Sequence, residues 1–87
     1  MNEFLLKSFI SKITLSDIEK FSLKNNIKLK NNELIMIEKQ IKKNWRTIIY
    51  GNPRPILDEI KKEIDLKEYE KIEKLYIEFK NKYNNYL

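Results

Sequence analysis

The chain has 87 residues, no cysteine, no histidine and a formal charge of +5, with 18 Lys and Arg against 13 Asp and Glu. That length supports one hydrophobic core and hence one helical domain over residues 1–87, while the lack of cysteine excludes disulfides, thiolate metal sites and cysteine nucleophiles and fits a cytoplasmic chain. Without histidine the commonest general base and the commonest transition-metal ligand are gone, and the four Ser and two Thr have no triad partner, so neither an enzyme nor a cofactor is expected.

Residues 1–10 are apolar in character, but Glu3 and Lys7 interrupt them and no small-residue cleavage site follows, so no secretory signal is expected. No stretch approaches the roughly 18–20 apolar residues of a spanning helix, and no membrane association is expected. Lys, Asn and Ile supply 40 of the 87 residues while Ala and Val are absent. AT-rich codons produce that bias, so part of the lysine surplus needs no functional cause.

The only glycine and both prolines fall within Gly51-Asn52-Pro53-Arg54-Pro55, dividing the chain into two halves. The spacing of Phe4, Leu5, Phe9 and Ile10 predicts a first helix. Thr14 and Asp17, three residues apart, predict the capped start of a second, with Leu15, Ile18, Phe21 and Ser22 inward and Asn25-Asn26 as a left-handed terminator. Ile27-Lys28-Leu29-Lys30 alternates as an extended link would, tucking in Ile27 and Leu29.

Asn31 or Asn32 then caps a third helix with the stripe Leu34, Ile37, Ile41, Trp45 and Ile48; it either runs to Tyr50 and stops at Gly51, or breaks near Asn44. Pro55 suits the first turn of a fourth helix burying Ile56, Leu57, Ile60 and Ile64. Asp65 and Glu68 open a longer last helix carrying Leu66, Tyr69, Ile72, Tyr76, Phe79 and Tyr83 on one face. Strand signals are nearly missing. The expected fold is all-α, a compact bundle of four to five short helices with a longer C-terminal helix.

Charge is unevenly placed. Residues 1–50 hold ten basic and five acidic residues, whereas 51–87 hold eight of each. On helical spacing Lys20 pairs with Lys24, Lys39 with Lys43 and Lys42 with Arg46, so two ridges flank the link that carries Lys28. Such a surface attracts phosphates with little sequence preference, or else simply solvates the fold.

Trp45 is placed either to stack on a base or, by its position in the Ile41 to Ile48 stripe, to fill the core; the stripe favours the core. Arg54, set between two prolines, suits a phosphate or carboxylate contact, or merely punctuates the chain. Asp58, Glu59, Glu63 and Asp65 intermix with Lys61, Lys62 and Lys67 as a salt-bridged face does, so no metal site is expected there.

Over residues 13–83 the order of features resembles the YqfT-like family of short helical bacterial proteins, a domain of unknown function. The likeness lies in Thr14-Leu15-Ser16-Asp17-Ile18, the link Asn26-Ile27-Lys28-Leu29, the basic end Lys42-Lys43-Asn44 and the apolar triplet Ile48-Ile49-Tyr50. It extends to the helix at residues 60–64 and to Leu75-Tyr76-Ile77-Glu78-Phe79, while Gly51 and its neighbouring prolines depart from the pattern. The resemblance implies a helical fold with a break after Asn44 and no activity.

The reading that follows is a non-catalytic module whose basic half contacts an anionic partner, nucleic acid foremost, through Lys20, Lys24, Lys28, Lys39, Lys42, Lys43, Arg46 and Arg54. The alternative is a protein-interaction module or homodimer built on the last helix, with Tyr83, Tyr86 and Leu87 as the contact.

Overall fold

The computed structural model describes residues 3–83, apart from the side chain of Tyr83. Tyr86 and Leu87, with that side chain, lie outside the described residues. Five helices and no strand occur among the described residues: α1 (Glu3–Ser11), α2 (Leu15–Lys24), α3 (Asn31–Tyr50), α4 (Arg54–Glu63) and α5 (Leu66–Tyr83). The radius of gyration is 12.6 Å, close to the ~12 Å of a compact chain of this length.

Local chemistry sets most helix ends. Asp17 N–H donates to Thr14 Oγ1 at 3.1 Å while Thr14 N–H donates to Asp17 Oδ2 at 3.0 Å, a complete capping box. At the other end of α2, Asn26 sits at φ 63°. Its N–H donates to the Leu23 carbonyl and that of Ile27 to Ser22, the Schellman pairing, which turns Ile27 inward to 2% exposure.

Neither Asn31 nor Asn32 caps α3. Lys30 occupies that position without an accepting side chain, and the Glu33 carboxylate takes the Lys30 N–H instead, at 2.7 Å. Glu68 likewise does not reach back to Asp65. It accepts the Lys28 N–H at 3.0 Å, and Lys71 Nζ donates to the Asn26 carbonyl at 2.9 Å, so the start of α5 is stitched to the link.

Both alternatives for the third helix are partly met. α3 runs the full 20 residues to Tyr50, but Asn44 leaves helical geometry (φ −120°, ψ 20°) and kinks it, its side-chain amide donating to Gln40 Oε1 at 2.8 Å. Gly51 follows with extended rather than left-handed backbone, its N–H donating to Thr47 O at 3.0 Å.

α3 is the central helix, packing against α1, α2 and α4, while α4 also packs on α5. Ile18, Leu34 and Ile37 fill the space between α2 and α3; Ile56, Leu57, Ile60, Ile64 and Tyr69 fill that beneath α4 and α5. Leu29, Met36 and Ile72, each partly buried, touch both groups and make them continuous. Leu6, Trp45 and Ile49 form a satellite that seats α1 on α3.

Three residues expected on inward stripes are exposed: Phe21 (56%), Leu66 (53%) and Phe79 (39%). α2 is packed chiefly by α3, so its covered arc is narrow and centres on Ile18 and Ser22, leaving Phe21 beyond its edge. Leu66 begins α5 about 100° around the axis from the Ile72–Tyr76 side.

Candidate functional site

The basic residues sort into three places. On α2, Lys20 and Lys24 are exposed on the side away from Ile18 and Ser22. On α3, Lys39, Lys42, Lys43 and Arg46 are all exposed and occupy the arc opposite Leu34, Ile37 and Ile41. Between Asn32 and Arg46 that arc otherwise holds Ile35 and no carboxylate, because Glu33 and Glu38 lie toward the packed side. The Lys28 side chain is exposed on the intervening link, whose backbone is anchored by Glu68.

Two of these cations have carboxylate partners. Lys42 Nζ stands 3.7 Å from Glu38 Oε2, and Arg46 Nε donates to Glu3 Oε1 at 2.6 Å with both side chains more than half exposed. Exposed pairs of this kind are weak and screened by salt, so a phosphate competes with them. Arg46 also lies over the Trp45 ring, 4.6 Å from its centroid. Trp45 itself is buried at 6%, as its stripe position favours.

Arg54 belongs to a different neighbourhood. Its guanidinium donates to Tyr69 Oη and to Glu73 Oε2, both at 3.4 Å, and stands 3.7 Å from Asp58. Tyr69 Oη in turn donates to Glu73 at 2.6 Å. The Tyr69 hydroxyl and the Arg54 guanidinium both hold the Glu73 carboxyl below its ordinary range, the hydroxyl foremost, while burial above all pushes the Tyr69 hydroxyl up. Arg54 therefore clamps α4 to α5, and the structure does not bring it to the basic ridges.

Two features are absent among the described residues. No group of three or more acidic residues is arranged to hold a metal ion, and no helix is long and apolar enough to cross a membrane. A shallow groove lined by Lys28, Lys30, Glu33, Lys62, Asp65 and Glu68 mixes both signs of charge and favours neither kind of ion.

Sequence reasoning missed the exposed apolar residues of the first half. Phe4 (75%), Leu5 (60%) and Phe9 (67%) on α1 and Phe21 and Leu23 (58%) on α2 all face solvent. The available signal was α1 itself: its apolar residues spread over about two-thirds of its circumference, whereas a nine-residue helix seated on one neighbour buries a single stripe.

No family model, curated protein or solved structure matches this chain.

Proposed function

We propose that the protein is a non-catalytic binding module whose basic first half contacts nucleic acid. The observation that carries this reading is the outward arc of α3, where Lys39, Lys42, Lys43 and Arg46 all stand exposed and only Lys42 and Arg46 have carboxylate partners, Glu38 at 3.7 Å and Glu3 at 2.6 Å. Successive members of each i, i+4 pair lie about 6 Å apart along the axis, a line of positive charge that a phosphodiester backbone can follow. Lys20, Lys24 and Lys28 extend the positive surface. The resemblance to the YqfT-like family assigns no activity and leaves the reading to rest on this charge placement.

The test is a salt titration of binding to generic duplex and single-stranded DNA and RNA. Affinity falls steeply with salt, and charge reversal at Lys39 and Lys43 weakens binding about equally for all sequences. No measurable binding at low salt removes the proposal.

A second reading, self-association through the last helix, draws on Leu66 and Ile77 (50%), which line a shallow groove along α5. A strict monomer in sedimentation equilibrium excludes it.

A further inference from the structure

We infer, building on the nucleic-acid reading above, that the basic surface takes single strands in preference to duplexes, with Phe9 and Phe21 as base-stacking platforms beside the lysine ridges. Phe21 is flanked on α2 by Lys20 and, one turn on, by Lys24, and more than half of it is exposed. Phe9, two-thirds exposed, lies on α1. That helix is tied to the basic segment of α3 by the Glu3–Arg46 ion pair and by Leu6 packing with Trp45 and Ile49. The α2 ridge thus has an exposed ring on its own helix, and the helix that packs on the Trp45–Ile49 segment of α3 carries two more, Phe9 and Phe4.

The preference follows from which surfaces a base has to offer. In a duplex both faces of a base are covered by its stacked neighbours, so a protein ring finds no partner, whereas the bases of a single strand can splay onto a ring while the phosphates meet lysine. Trp45 cannot serve, being buried beneath Arg46.

An anionic bilayer would also pair apolar with basic groups, but the rings of α1 are poorly arranged for one. Phe4 and Phe9 lie five positions apart, about 140° around the helix with Leu5 and Ser8 between them, so the two rings splay apart, and the nine-residue α1 holds one cation, Lys7, against Glu3, too little positive charge to bring that arc to an anionic surface. Rings pointing in different directions suit bases on a flexible strand.

Fluorescence anisotropy tests this with labelled oligo-dT, a labelled duplex of the same length, and unlabelled phosphatidylserine-containing vesicles as competitor, at low salt. Oligo-dT binds at least ~5-fold more tightly than the duplex, and Phe9→Ala and Phe21→Ala each cost about 5-fold or more on oligo-dT while leaving duplex affinity and the salt slope unchanged. Phe9→Leu and Phe21→Leu, which keep apolar bulk without a π-face, lose as much as the alanine variants. Both side chains are exposed, and circular dichroism confirms that each variant is folded.

Equal binding of both forms, unaltered oligo-dT affinity in the alanine variants, or full rescue by leucine overturns the single-strand inference while the anionic-partner reading stands. Binding to neither nucleic acid sinks both. Co-sedimentation of the protein with the phosphatidylserine vesicles, together with no binding of either oligonucleotide, identifies a membrane surface instead and overturns the inference.

Discussion

The Tyr76 hydroxyl donates to the Ile48 carbonyl at 2.8 Å, and this bond joins the last helix to the final turn of α3. One turn further along α5, Lys80 Nζ donates to the Ile49 carbonyl at 2.8 Å. The last carbonyls of a helix have no partner within it, so α5 supplies donors there, one of them a cation at the negative end of the helix dipole.

Tyr76→Phe removes one donor and costs about 1 kcal/mol of stability, read as a lower urea midpoint with unchanged slope. Burial raises the ionisation of both Tyr76 and Tyr69 above the ordinary tyrosine value. A folded pKa above the unfolded one stabilises fully below the unfolded value, so stability is lost as pH rises through and beyond about 10. The alkaline loss is smaller in Tyr76→Phe; an identical loss in both proteins contradicts the assignment.

At the acid end the sign reverses. Glu73, through the Tyr69 hydroxyl and then Arg54, and Asp17, through Thr14, ionise below their ordinary values. The stability they contribute is present above about pH 4 and is lost as pH falls further. Glu73→Gln keeps an acceptor for Tyr69 but removes the charge, so its Tm falls less steeply between neutral and acid pH than that of the native chain.

Asn26 adopts the left-handed conformation that costs most residues about 1 kcal/mol or more. Thermal unfolding therefore ranks Asn26→Ala well below the native chain and Asn26→Gly near it. Equal losses in the two variants exclude backbone conformation as the cause.

Burial separates two apolar residues that composition treats alike. Ile60 is 7% exposed and Phe21 56%. Ile60→Ala lowers stability by about 2–5 kcal/mol, while Phe21→Ala changes it by about 0.5 kcal/mol or less. Chemical denaturation of the two variants measures both.

Glu3 withholds part of the charge of Arg46. Glu3→Gln frees the guanidinium, raising affinity for oligonucleotides at low salt and steepening the salt dependence by up to about one phosphate contact. Unchanged or weaker binding shows that Arg46 does not face the ligand.

Much of the fold was legible because its signals are local. The Thr14–Asp17 capping box, the Asn26 turn and the Ile56, Leu57, Ile60 and Ile64 face all stand where spacing puts them. Reciprocal capping and amphipathic periodicity depend on residues three and four apart, which a linear chain displays. Asp65 with Glu68 has the same spacing and is half met: Asp65 Oδ1 accepts from the Lys67 N–H at 3.4 Å and α5 opens there, but Glu68 found a backbone donor at Lys28, 40 residues away. The candidate site was half legible: spacing places Lys39 with Lys43 and Lys42 with Arg46, but does not disclose the exposed rings on α1 and α2.

The sequence by itself determined an all-α chain, the starts of α2 to α5 to within a residue or two but not where α3 ends, and a first half richer in positive charge, since each depends on neighbours along the chain. Tertiary structure alone decided that Arg54 is a clamp, that Glu3 holds Arg46, and that Phe9 and Phe21 stay in water. Those outcomes depend on which helix lies against which, and that is settled by competition among apolar stripes too numerous for so small a core to cover.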